Sequence, residues 1–181
     1  MKNIKKCIAV ILVLMLCFGM TACSASRQTT TTISLETSAD PMDGEAVQNE
    51  MKDPADYDDD IHGLCAFLRD CKVTAGESIQ MEYGVIGAVN GYKFTYGYNS
   101  SNVQLEVYEF PTEELSEEAQ NVISSVRENG SFDFLDGTIP AILSADGRYM
   151  LIYTDAKAEK EDANKVHKAH VLDCFEAFTA E

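Results

Sequence analysis

Basic residues are scarce in this chain of 181 residues, which has 14 lysines and arginines against 30 aspartates and glutamates. Its formal net charge at pH 7 is −16. A surface with this excess of negative charge repels nucleic acids and anionic lipid head groups, and it attracts cations or basic proteins without specificity. We therefore expect a protein that has no nucleic-acid partner.

Long apolar runs are missing after the N-terminal part of the chain. A helix needs about 20 consecutive, mostly apolar residues to cross the hydrocarbon core of a membrane. No segment after residue 20 is both that long and that apolar. Any attachment to a membrane must therefore come from the beginning of the chain.

The common sequence motifs of hydrolases and nucleotide-binding enzymes are also absent. The chain has no Gly-x-Ser-x-Gly elbow, no glycine-rich phosphate loop and no His-Glu-x-x-His zinc motif. We therefore expect a protein that is not an enzyme and that needs no cofactor.

The N-terminus has the pattern of a secretory signal. Lys2, Lys5 and Lys6 form a basic start, and an apolar run of about 14 residues follows, which is typical of a signal peptide and too short for a membrane-spanning helix. The run ends in Met-Thr-Ala-Cys at positions 20–23, which resembles the lipobox of bacterial lipoproteins. The resemblance implies cleavage before Cys23 and a lipid on that cysteine.

These observations predict three regions. Residues 1–22 are the signal peptide, and residues 23–55 are the lipidated cysteine followed by a disordered acidic tether with little apolar periodicity. Residues 56–181 are long enough for one globular domain. The loss of three signal lysines would take the formal charge from −16 to −19. We expect the mature protein to lie outside the cytoplasm, with the lipid on Cys23 as its contact with the membrane.

The hydrophobic pattern of the domain alternates between helical and strand periods. We predict helices that begin near Ile61, at Thr112 and near Ala158, and hairpins formed by strands 92–96 with 103–108 and 138–143 with 149–153. The order α-ββ-α-ββ-α indicates an α+β fold. We expect an antiparallel sheet of about four strands with the helices on one face.

The acidic residues before the first predicted helix have part of the spacing of a calcium-binding loop. Asp56, Asp58 and Asp60 have the alternate spacing of an EF-hand, but Ile61 stands where that loop requires glycine and Phe67 where it requires glutamate. We therefore interpret Asp60 and its neighbours as the N-cap and favourable charge of a helix.

Tyrosines accompany the predicted strands, and Tyr96 and Tyr108 are the candidate binding residues. If the sheet face opposite the helices is open, its tyrosines form a surface for an envelope protein or a small ligand. The alternative is that cross-strand tyrosines only stabilise the sheet.

His167, His170 and Cys174 recur at helical spacing near the C-terminus and are candidate metal ligands. They support the alternative function, a small metal-dependent or hydrolytic envelope enzyme. With Cys23 lipidated, at most one disulfide can form among the remaining cysteines. Three states stay open: Cys65 bonded to Cys71, Cys65 bonded to Cys174, or three buried thiols. The favoured function is that of a lipid-anchored, non-catalytic binding module.

Replacing Cys23 with serine is expected to leave an unprocessed precursor, because the lipid is attached to the cysteine sulfur. Mass spectrometry of the protein extracted from membranes measures both the cleavage and the lipid. The prediction is wrong if the variant matures with the same lipid mass as the wild type.

Overall fold

A long β-hairpin forms the centre of the domain in the computed structural model, which describes residues 41–42 and 51–180. These residues belong to one compact unit, Thr37–Glu181. In chain order, the helices are α1 (Ile61–Asp70), α2 (Glu117–Asn129) and α3 (Asp162–Phe178), with short 3-10 turns at Pro54–Asp56 and Gly84–Ile86. The strands are β1 (Pro41–Met42), β2 (Ile79–Gln80), β3 (Asn90–Tyr98), β4 (Ser101–Glu109), β5 (Ser131–Phe134), β6 (Gly137–Pro140), β7 (Ile142–Leu143) and β8 (Tyr149–Asp155). The α+β class predicted from the sequence is confirmed.

The main sheet has the order β1-β3-β4-β8-β7, and β2 pairs with β3 on the same side as β1. All pairs are antiparallel except that of β1 with β3. Strands β5 and β6 form a separate hairpin. The sheet thus has six described strands, two more than expected, because β1 and β2 are two-residue segments without a visible sequence period.

Helices cover both faces of the sheet, so the prediction that they lie on one face is wrong. The first core lies between the sheet and helices α1 and α3, and it contains Leu64, Phe67, Leu68, Phe94, Leu105, Leu151, Val171 and Phe175. The second core lies under α2 on the other face, and it contains Tyr108, Ala119, Val122, Ile123, Val126, Met150 and Ile152. The buried pattern of β8, with consecutive apolar residues, reflects this double coverage.

Local capping signals fix several element ends. The side chain of Asp60 accepts hydrogen bonds from the backbone N–H groups of His62 and Gly63, both at 2.8 Å, and thus forms the predicted N-cap of α1. Gly130 ends α2 with a φ of 66°, the left-handed conformation that glycine adopts without strain.

Other boundaries differ from the predictions. Helix α2 begins at Glu117 because Glu114 has a φ of 55°, which a right-handed helix does not permit, and Ser116 then caps the helix. Helix α3 begins at Asp162, after a turn in which the carbonyl of Lys157 accepts from two N–H groups. The 3-10 turn Gly84–Ile86 is followed by Gly87, a C-cap with a φ of 76°.

Pro41 and Met42 lie inside the region predicted as a disordered tether, yet they form a parallel strand beside Gly97 and Tyr98. At the end of the predicted tether, Pro54 and Ala55 belong to the 3-10 turn Pro54–Asp56, which Asp53 caps. The prediction of disorder is therefore wrong for these two short segments, and residues 23–40 and 43–50 lie outside the described residues. Among the described helices, none is long and apolar enough to cross a membrane.

Replacing Gly63 with alanine is expected to destabilise the domain by about 2 kcal/mol, although alanine is the better helix former. An added Cβ would overlap the carbonyl oxygen of Asp58, so the backbone before α1 must move. Urea unfolding measures the loss. Gly84→Ala is the control, because its Cβ would meet only a side-chain oxygen of Glu82 at 3.7 Å. Equal midpoints for the two variants would contradict the prediction.

Candidate functional site

The residues selected from the sequence lie in separate parts of the domain. Tyr96 and His167 meet in the first core, whereas Tyr108 lies in the second core on the other face of the sheet. Cys23 lies outside the described residues, so its lipidation stays a prediction.

The prediction that Tyr96 and Tyr108 lie on an open face of the sheet is wrong. Tyr96 is 0% exposed and Tyr108 is 8% exposed, because helices cover both faces of the sheet. The Tyr108 hydroxyl donates to Glu106 at 2.9 Å, and its ring passes over Gly91, where a Cβ would lie 2.9 Å from the ring. Burial, together with the neighbouring Glu106, raises the pKa of Tyr108. The second interpretation of the tyrosines, that they stabilise the sheet, therefore fits both positions.

The Tyr96 hydroxyl connects three segments of the chain. Its oxygen lies 2.9 Å from the carbonyl oxygen of Val73 and 2.9 Å from Nε2 of His167. A carbonyl only accepts, so the single hydroxyl proton goes to Val73, and the hydrogen between Tyr96 and His167 belongs to Nε2. This assignment of donors fixes His167 as the Nε2–H tautomer.

His167 is enclosed by aromatic rings. Tyr98 stacks on the imidazole at a centroid distance of 4.1 Å and an interplanar angle of 15°, and Tyr153 lies 6.3 Å away. Burial, and next the neighbouring His170, lower the pKa of His167 to about 4, against an opposing effect of Asp155. The imidazole is therefore neutral at pH 7. It connects α3, to which it belongs, with β3 and thus has a structural role.

A polar network continues from this cluster to the tip of the central hairpin. Asp155 accepts from the Ser101 hydroxyl, from Asn164 Nδ2 at 2.7 Å and from the Lys157 N–H at 2.8 Å. Burial alone would raise the pKa of Asp155, but these hydrogen bonds lower it. Asn99 at the hairpin tip donates to Asn164 at 2.7 Å. The network thus joins β4, β8, the hairpin tip and the start of α3.

The three candidate metal ligands do not form one site. The Nε2 of His167 is engaged by Tyr96, and Cys174 lies beside Cys71. His170 is buried, which lowers its pKa, and its Nε2 has no hydrogen-bond partner within the described part of the chain. Among residues 41–42 and 51–180, no three His, Cys, Asp or Glu side chains are grouped to hold a metal ion. The helical spacing of these residues puts them on the buried side of α3 without grouping them around a metal position.

An open groove lies on a part of the surface that contains none of the candidate residues predicted from the sequence. Two hollows of about 290 and 410 Å³ meet at Arg127, near the C-terminal end of α2. Aliphatic side chains line about half of the groove, and its charged lining residues are Arg127, Asp146 and Arg148. The aliphatic ones are Leu115, Ile123, Val126, Ala141, Ile142, Leu143 and Ala145. The sequence signal was weak, because these residues come from distant segments that show only ordinary core periodicity.

Two arginines line this region, and their environments differ. Arg148 donates to Asp59 Oδ1 at 2.9 Å, to the Asp59 carbonyl at 2.8 Å and to Glu109 at 2.9 and 3.1 Å, so its guanidinium connects the start of α1 to the end of β4. Arg127 is exposed, and its guanidinium lies close to Gly147. Within the described residues, Arg127 makes no ion pair or side-chain hydrogen bond.

The edge strand β7 adds backbone groups to the groove. The N–H of Ser144 donates to the carbonyl of Tyr149 at 2.8 Å, which makes these two residues a hydrogen-bonded pair. Pairs alternate along an antiparallel ladder, so the N–H and C=O of Leu143 point away from β8 and toward the groove. Within the part of the chain that the structure describes, the groove therefore combines aliphatic walls, the unpaired guanidinium of Arg127, the carboxylate of Asp146 and the unpaired backbone groups of Leu143.

Comparisons with protein-family models, with curated proteins and with solved structures gave no match for this chain.

His167→Gln is expected to weaken the pH dependence of stability. The pKa of His167 is about 4 in the folded protein, whereas the ordinary value of a histidine, which applies in the unfolded chain, is 6.5. As the pH falls, the unfolded chain therefore binds the proton first. The stability that His167 contributes is therefore present above pH 6.5 and is lost between pH 6.5 and 4, by about 3 kcal/mol. Urea unfolding across this range measures the slope.

Glutamine keeps an N–H that can donate to Tyr96 but does not titrate. The variant should therefore lose less stability than the wild type between pH 6.5 and 4, with a remainder from His170, whose pKa is also lowered by burial. Identical slopes for the two proteins would show that His167 is not the titrating group.

Proposed function

We propose that this chain is a lipoprotein anchored outside the cytoplasm through Cys23, and that its domain binds a partner without catalysing a reaction. The anchor is supported by the basic start, the apolar run and the Met-Thr-Ala-Cys sequence at positions 20–23. Two or more acyl chains on one cysteine would hold the protein firmly, since each buried methylene contributes about 0.8 kcal/mol.

The single observation that supports binding is the groove at Arg127. Its guanidinium is the exposed cation of an aliphatic groove on a strongly acidic protein, where acidic partners for arginine are abundant. A guanidinium binds carboxylates through paired hydrogen bonds. The charge of Arg127 therefore favours a ligand with a carboxylate in the middle of the groove.

We infer that the ligand is an extended segment of an envelope protein. The outward N–H and C=O of Leu143 can pair with one residue of an added strand, as in other cases of strand addition. Aliphatic side chains of that strand would contact Ile123 and Val126, and one carboxylate would meet Arg127. The net negative charge of the protein disfavours a strongly acidic segment, so one carboxylate among apolar residues is the expected pattern.

Selection from a random peptide library on the full chain in detergent tests the proposal. We expect enriched peptides to contain aliphatic residues around a single aspartate, glutamate or terminal carboxylate. Arg127→Gln should weaken the binding of a selected peptide about tenfold or more, because a charge-assisted hydrogen bond contributes about 1.5–3 kcal/mol. Amidation of the peptide C-terminus distinguishes a terminal carboxylate from a side chain.

Arg69→Gln is the matched control, since Arg69 is an exposed arginine in the last turn of α1 and does not line the groove. Its replacement changes the net charge by the same amount and should leave the affinity within twofold of the wild type. Equal losses in the two variants would mean that the arginines act only through the overall charge. Enriched peptides without a carboxylate would also contradict the proposal.

A further inference from the structure

Two cysteine side chains meet where the end of α1 packs on α3. Cys71 is the C-cap residue of α1, and Cys174 lies in the final turns of α3. They are 2% and 0% exposed, respectively, and both belong to the first core. Burial raises the pKa of the Cys174 thiol, and the adjacent Cys71 thiol raises it further as a charge neighbour and hydrogen-bond partner. The helices α1 and α3 pack on each other at this point, both thiols belong to the same buried cluster, and the two side chains are hydrogen-bond partners across the interface.

Cys65 has a different environment. It lies six positions before Cys71 in the chain, and at a rise of 1.5 Å per residue the two are separated by about 9 Å along α1, beyond disulfide reach. Burial raises the pKa of Cys65 to about 12, and the charged groups that act on it are Arg69 and Asp60, not another thiol. Cys65 is thus too far from Cys71 along α1 to pair with it, and it has no thiol neighbour among the groups that act on it, whereas Cys174 has Cys71.

We propose that Cys71 and Cys174 form a disulfide in the mature protein, and that Cys65 keeps a free thiol. All three cysteines are thiols in this structure, so the proposal concerns an oxidised form of the same fold. The bond would connect the end of α1 to α3 and close a loop that contains strands β2 to β8 and helix α2. It follows from helix packing and is independent of the ligand that the groove binds.

The oxidant is a disulfide, either a small-molecule one such as oxidised glutathione or that of an extracytoplasmic oxidoreductase. The thiolate of one cysteine attacks it, forms a mixed disulfide and releases one thiol. The thiolate of the second cysteine then attacks the mixed disulfide, forms the protein S–S bond and releases the second thiol. Two electrons thus pass from the cysteines to the oxidant, and the cysteine protons are taken up by the thiols released.

The native core hinders this reaction, because the thiolate is the attacking species and burial disfavours it. Oxidation is therefore expected while the chain folds, before α1 and α3 enclose both sulfur atoms. A protein already folded in reductant should react slowly, and its rate should rise under conditions that open the end of α1.

Refolding in a glutathione redox buffer tests the pairing. The full chain, with Cys7, Cys17 and Cys23 changed to serine so that three thiols remain, is unfolded in urea, refolded with excess oxidised glutathione, alkylated and digested without reductant. We expect one linked peptide pair that contains Cys71 and Cys174, and an alkylated Cys65. A disulfide that includes Cys65, or alkylation of all three thiols, would overturn the proposal.

Two further variants of this protein separate pairing from general effects on folding. With Cys65→Ser, the urea midpoint should be higher in oxidising than in reducing buffer, because the cross-link restricts the unfolded chain. With Cys71→Ser, the two midpoints should coincide. A redox-dependent midpoint in Cys71→Ser, or none in Cys65→Ser, would show that these two cysteines are not the bonded pair.

Discussion

One buried hydroxyl, that of Tyr96, determines how the first core is closed. It donates to the carbonyl of Val73, just after α1, and accepts from His167 on α3. A hydroxyl without these partners would be costly to bury, by about 1–3 kcal/mol. The strand β3 can therefore stay buried at this point only when both terminal helices are in place. The packing of three segments that are distant in the chain thus depends on a single hydroxyl group.

The same constraint explains why the most suggestive residues have structural roles. Tyr98 stacks on His167, and Asp155 and Asn164 extend the polar network to the hairpin tip. These groups satisfy one another, so little of their hydrogen-bonding capacity is left for a ligand. The groove at Arg127 lies on the opposite side of the sheet, under α2, where one guanidinium and one strand edge remain without protein partners in the described part of the chain. A binding role is therefore better supported at α2 than at the tyrosines.

Charge and redox environment give the two proposals a common basis. In a protein with an excess of acidic residues, most exposed arginines can find a carboxylate partner within the protein. An unpaired arginine in a partly apolar groove therefore favours a ligand that brings its own carboxylate. In the proposed location outside the cytoplasm, neighbouring thiols such as those of Cys71 and Cys174 would meet oxidising partners. The first proposal concerns the face covered by α2 and the second the face covered by α1 and α3, so each can fail without the other.

The sequence by itself determined what depends on near neighbours: the α+β class, the Asp60 and Gly130 caps, the central hairpin and the lipobox-like sequence before Cys23. These signals act over a few residues through capping, turn geometry and side-chain period. Only the tertiary structure decided that α2 covers the second face, that Tyr96 and Tyr108 are buried, and that Cys174 meets Cys71 instead of Cys65. Those outcomes depend on contacts between residues distant in the chain, and neither periodicity nor spacing encodes which elements will pack together.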